Sequence, residues 1–175
     1  MKKIIFSIII CWPFVLFSQN DLYSISFKDL NNKNVSLSSL NGKKMIVVIA
    51  DALNPDQKQL RSLDTLCSNN SNVKVVVVPV SDFSTGESTA ALSEVLGQLR
   101  SQFIIAKVSK GKKGSGEEQQ PLLKWLTHKQ DNQHMDTDIE ESGQMYVINE
   151  KGTLYAMMKR KIVPTGEKMK KILNQ

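Results

Sequence analysis

The sequence predicts an α/β fold: a central mixed β-sheet flanked by helices, with an N-terminal β-hairpin. Three observations carry this. Two apolar runs of strand length, "MIVVIA" at 45–50 and "VKVVVVPV" at 73–80, have no polar alternation, so each must be covered on both faces. Segments with apolar residues at helical spacing follow them. Near the end, two strand-like runs flank the tight turn "EKG".

The elements follow in chain order. Residues 22–40, "LYSISFKDLNNKNVSLSSL", read as a hairpin: Tyr23, Ile25 and Phe27 alternate with serines, "NNKN" is a turn, and Val35 and Leu37 resume the alternation. "NGKK" turns the chain into the first buried strand. After Pro55 the period changes, with Leu60, Leu63, Leu66 and Cys67 on one helical face. Pro55 suits a helix start, where its missing N–H would be unpaired anyway. "SNNSN" ends this helix, and the Val75–Val78 run makes the second strand strongly β-forming. "STGESTAALSEVLGQLRSQF" predicts a second amphipathic helix, "IIAKV" a third strand, "KGKKGSG" a loop, and "EEQQPLLKWLTHK" a third helix. "DNQHMDTDIEESG" reads as a polar loop, and "QMYVIN" and "TLYAMMKRKI" as an antiparallel pair. Thr165 is expected to cap a last helix, "GEKMKKILNQ". Strand–helix–strand followed by hairpin–helix is the order of the thioredoxin fold, with parallel strands joined by crossovers and an antiparallel edge from the final hairpin.

The chain opens "MKKIIFSIIICWPFVLFSQN", two lysines, an apolar run and a polar break. That is the layout of a secretory signal peptide over residues 1–18, leaving a domain at 21–175 and predicting an exported, periplasmic or secreted protein. The apolar run is short for a membrane span, so a membrane role rests only on an uncleaved signal. Cys11 follows Ile10, where a lipoprotein acceptor would want a small residue. Cleavage leaves Cys67 as the single thiol, which excludes a disulfide-stapled scaffold. The formal charge of +6 is spread along the chain; basic residues concentrate in "KVSKGKKG" and "MMKRKIV" and acidic ones in "HMDTDIEE", and neither basic run carries interleaved aromatics, so a nucleic-acid partner is not expected.

The wording within this order is more specific. "YSISFKDLNNKNVSLSSLNGKKMIVVIA", "QPLLKWL" and "MYVINEKGTL" resemble, in order and spacing, the opening, the helix start and the late strand–turn of the glutathione peroxidase family. The resemblance covers residues 22–174. It implies a peroxidase whose cysteine or selenocysteine sits in the turn after the first buried strand, assisted by a glutamine, a tryptophan and an asparagine. A low-pKa thiolate there attacks hydroperoxide and becomes a sulfenic acid. Carried over position by position, the nucleophile's place is held by Leu53, the glutamine's by Asp82 with Ser81 beside it, and the tryptophan and asparagine by Glu141 and Ser142. Leucine has neither a lone pair nor an acidic proton. An ionised carboxylate donates no hydrogen bond and raises the pKa of a neighbouring thiol.

The resemblance therefore implies a degenerate member: an exported protein on a peroxidase-like fold that has lost peroxidase catalysis and serves a binding or structural role. Asp82, Glu141 and Ser142 are candidates to line its reused groove, and the ligand or protein partner is unknown. The alternative is a thiol peroxidase or oxidoreductase of the oxidative-stress response acting through Cys67. That residue falls near the negative C-terminal end of the first helix, which disfavours a thiolate. A third reading keeps the fold and inactivity and changes only the label, to a peroxiredoxin-type or thiol–disulfide redoxin. No cofactor motif is present. His128, Asp131, His134, Asp136 and Asp138 are the one grouping with metal-ligand chemistry, but their spacing matches no tight signature, and a solvated loop is the expected reading.

Overall fold

The computed structural model describes residues 21–84, 88–101 and 103–174. The signal-peptide segment and Cys11 lie outside the described residues. So do residues 85–87 of the expected second helix.

A small antiparallel hairpin, β1 (Ser26–Lys28) and β2 (Asn34–Ser36), comes first, with a 3-10 turn on either side. The main sheet has five strands in the order β5 (Ile104–Ile105), β4 (Val73–Val80), β3 (Lys44–Asp51), β6 (Met145–Ile148), β7 (Leu154–Met158). β3, β4 and β5 run parallel, β6 pairs antiparallel with β3, and β7 pairs antiparallel with β6. Helices α1 (Gln57–Asn69), α2 (Ala90–Leu96), α3 (Pro121–Thr127), α4 (Lys129–Asn132) and α5 (Glu167–Leu173) connect or follow the strands.

The unbroken apolar runs have their reason in this arrangement. Met45, Val47 and Ile49 of β3 join Val76, Val78 and Val80 of β4 in one core, against α3 and the hairpin. Ile46, Val48 and Ala50 join Val73, Val75 and Val77 in a second core, under Leu60, Leu63 and Leu66 of α1, Leu92 and Val95 of α2, and Met169 and Leu173 of α5. Alternate side chains of a strand point to opposite faces, so a strand covered twice is apolar over its covered length, and the one polar residue of β4, Lys74, is exposed near its start.

Several expectations shift at their edges. The second helix stops at Leu96, because the Asp64 carboxylate accepts the backbone N–H groups of Arg100 at 3.1 Å and Ser101 at 2.6 Å and draws the chain out of the helix. The third strand shrinks to two residues, and Ala106 bridges instead to Asp29 of the hairpin turn. The third helix begins at Pro121, capped by the Gln120 side chain on the Leu123 N–H at 2.9 Å. The preceding Lys113–Glu118 segment is a 3-10 turn. Thr165 does not cap α5: Gly166 stands at that position with no side-chain cap, while the Thr165 N–H donates to Ser62 Oγ at 3.2 Å. Among the described residues no helix is long and apolar enough to cross a membrane.

Ile49 is fully buried at the centre of β3, two residues before the turn that ends it. Ile49→Ala is expected to destabilise the fold by about 2–5 kcal/mol in urea denaturation, through lost burial and the cavity left behind.

Candidate functional site

β3 ends in a carboxylate. Asp51 is 8% exposed, at the mouth of a strand that is otherwise apolar after Lys44. Its Oδ1 accepts the N–H of Leu53 at 2.9 Å and of Asn54 at 3.2 Å. Its Oδ2 accepts the Ser84 hydroxyl from the segment after β4. Its own N–H donates to Ser142 Oγ at 2.9 Å. One residue thus closes the turn after β3 and ties it to two neighbouring loops. Burial acts to raise the Asp51 pKa, but the hydrogen bonds from Ser84, Leu53 and Asn54 outweigh it and hold the carboxyl below its usual range.

The turn leads directly into α1. Asp56 caps the helix, its Oδ1 accepting the Gln59 N–H at 3.1 Å, while its Oδ2 pairs with Arg160 Nε at 2.8 Å. Gln59 is buried and donates through Nε2 to the Gly143 carbonyl at 2.7 Å. The Gly143 N–H donates in turn to the Ile49 carbonyl at 2.7 Å. Gly143 has a φ of +89°, and a Cβ there would lie 2.7 Å from Arg160 Cγ, so both backbone and space require glycine. The Arg160 N–H donates to Glu141 Oε1 at 2.9 Å.

The expected groove residues are brought to the ends of these loops, and each carries a structural task there. Asp82 accepts the Gly111 N–H at 2.7 Å and the Lys112 N–H at 3.4 Å. Glu141 holds the Arg160 backbone, and Ser142 holds Asp51. Leu53 is half-buried in the turn itself. Asp51, Gln59, Ser84 and Arg160 escape the sequence reading. A carboxylate closing an apolar strand is the one local signal among them; the partners of Gln59 and Arg160 lie 84 and 104 residues away.

Cys67 lies on α1 about 15 Å from the helix start, at ~1.5 Å per residue over ten residues, and packs partly buried against the second core. Burial, reinforced by the negative charge of Asp64 and opposed by Lys74, pushes its thiol up to about 11. A thiol with that pKa is the reverse of an activated nucleophile.

The His128–Asp138 segment is solvent-exposed at Gln133, His134 and Asp136, as expected, but it is internally hydrogen-bonded. Asn132 is buried and knits it, donating to the carbonyls of Trp125, Leu126 and Met135 and accepting the N–H groups of His134 and Met135. His128 Nδ1 sits against the Lys124 carbonyl at 2.9 Å, Asp136 pairs with Lys113 at 2.6 Å, and Asp138 accepts the Lys113 N–H at 2.9 Å. Among the described residues no three His, Cys, Asp or Glu side chains converge as metal ligands.

No family model matches the sequence, and no curated protein matches it at a significant level. Solved structures do match. The apo form of a protein named Trgpx aligns with a TM-score of 0.67 at 16% identity, over 88% of this chain and 93% of that one. The T. cruzi protein GPX1 aligns with a TM-score of 0.67 at 15% identity, over 87% and 94%. A thiol:disulfide interchange protein of the thioredoxin family from Chlorobium tepidum aligns with a TM-score of 0.61 at 14% identity, over 89% and 94%. These similarities establish the thioredoxin-like fold.

The lowered Asp51 pKa fixes the sign of its pH dependence. Its contribution is present above the ordinary carboxylate range and is lost as pH falls through the depressed folded value. Asp51→Ala is expected to cost about 1.5–3 kcal/mol at pH 7, the scale of hydrogen bonds to a charged group. In urea titrations, the gap to the unsubstituted chain should narrow only once pH drops below about 4.

Proposed function

We propose that this chain is an exported, degenerate relative of the glutathione peroxidases, a thioredoxin-fold protein that binds a partner and performs no peroxide chemistry. One observation carries the reading. The turn after β3, where the resemblance calls for a sulfur nucleophile, holds Leu53, and the polar residues around it are spent on backbone N–H groups. Peroxide reduction needs a thiolate that can take up one oxygen and release water or an alcohol. Cys67, the one cysteine among the described residues, has a raised pKa and lies about ten residues along α1 from the turn. The peroxidase-like and thiol:disulfide interchange proteins of the same fold support a redox ancestry for the scaffold. The likeness also supports a groove at this end of the sheet as the place where a partner is met.

Peroxide consumption with a dithiol reductant tests the reading. The unsubstituted chain and Cys67→Ser are expected to show the same rate, no higher than the free-thiol background. Iodoacetamide should alkylate Cys67 in the native chain ~100-fold more slowly at pH 8 than a free cysteine, following the smaller thiolate fraction. A peroxide rate above background that disappears in Cys67→Ser would establish the thiol-peroxidase alternative instead.

A further inference from the structure

An open cleft of about 630 Å³ lies beside the start of α1. Pro55, Lys58 and Ser62 form one wall, and Arg160, Ile162 and Val163, from the loop between β7 and α5, form the other. Val163 is 57% exposed and is the one large apolar side chain so exposed among the described residues. The loop that presents it is pinned. The Ile162 N–H donates to the Lys159 carbonyl at 3.0 Å, and the Gly166 N–H to the Val163 carbonyl at 2.9 Å. Thr165 is tied to Ser62 on the opposite wall.

The charges at the cleft are unequally committed. Its lining carboxylate, Asp56, is taken up by the Arg160 guanidinium, and the Arg160 backbone N–H in turn holds Glu141. Lys58 lines the cleft, is exposed and forms no ion pair among the described residues; Lys161, between Arg160 and Ile162 on the loop of the second wall, is likewise exposed and without an ion pair among them. An aliphatic wall facing one uncompensated ammonium group is complementary to a segment that is apolar and acidic at neighbouring positions. The volume falls in the range of ligand sites of a few hundred cubic ångströms. The exposed amide of Gln57 on the lining suits a peptide backbone, which needs hydrogen-bond partners, better than an acyl chain, which has none to make.

We propose that this cleft binds an extended peptide segment of a partner protein, with an acidic side chain set against Lys58 and an adjacent aliphatic side chain set against Ile162 and Val163. This rests on the binding role proposed above and names the surface and the partner's chemistry.

The test is a titration of the full mature chain, followed by backbone amide NMR, with an acetylated seven-residue peptide of alternating glutamate and leucine. A lysine–leucine peptide of the same length and phosphatidylglycerol vesicles serve as separate arms. The expected result is saturable shifts confined to Lys58, Ser62 and residues 160–163, with the acidic peptide alone. Lys58→Glu and Val163→Asp, both surface changes, should each weaken binding at least tenfold without altering the circular dichroism spectrum or the melting temperature. Equal binding of the two peptides, shifts centred elsewhere, no shift at millimolar peptide, or binding to vesicles but not to the acidic peptide would each overturn the proposal. Peroxide turnover, measured on the same samples, separates the two claims: turnover with cleft binding intact removes the loss of catalysis and leaves the cleft, and absent turnover without binding does the reverse.

Discussion

The Asp51 carboxylate is the interaction on which this end of the molecule depends. Its two oxygens accept hydrogen bonds from both sides of the strand end, from Leu53 and Asn54 ahead and from Ser84 alongside. Its N–H reaches Ser142 across the β3–β6 boundary. A buried carboxylate is costly unless its lone pairs are filled, and here they are filled by groups that would otherwise have to find partners of their own. The consequence is a turn with a fixed course, which delivers the chain to Asp56 at the start of α1.

From there the constraint spreads by shared atoms. Gln59 fastens α1 to Gly143, Gly143 fastens to Ile49, and Arg160 joins Asp56 to the Glu141 segment. The turn after β3, the segment before β6 and the loop after β7 therefore form one hydrogen-bonded unit at the end of the sheet. In an α/β sheet such an end is where ligands and reacting groups usually gather. Here most of the polar side chains turn back onto backbone groups, which is what the proposed binding role rests on.

Much of the fold is legible in the sequence because it follows from burial. The runs at 45–50 and 73–80 have to be covered on both faces, and the two cores do that. The shortened elements were not legible for the same kind of reason as the site. Asp64 ends the α2 region through the N–H groups of Arg100 and Ser101, some 36 residues away, and no local pattern announces it. Thr165 carries a good capping side chain, yet a tertiary contact with Ser62 takes it. At the site, Leu53 was visible as the residue in the critical turn. The roles of Asp82, Glu141 and Ser142 were not, since a carboxylate in a groove and a carboxylate clasping a backbone N–H look identical in sequence. Asn132 likewise turns a stretch that reads as solvated loop into a knitted one.

We propose that the end of the sheet is a structural lock unsuited to sulfur chemistry. The most direct measurement is the peroxide reactivity of Leu53→Cys in a Cys67→Ser background, with the thiol pKa read from the pH dependence of alkylation. The Asp51 carboxyl, held below its usual range, lies two residues away, and Asp82, where the resemblance alone would put a glutamine, is also a carboxylate, so the new thiol should have a pKa at or above that of free cysteine and should react with peroxide at the free-thiol rate. A pKa well below 8 together with a rate orders of magnitude above free cysteine would show that the catalytic environment survives intact, and would contradict the account.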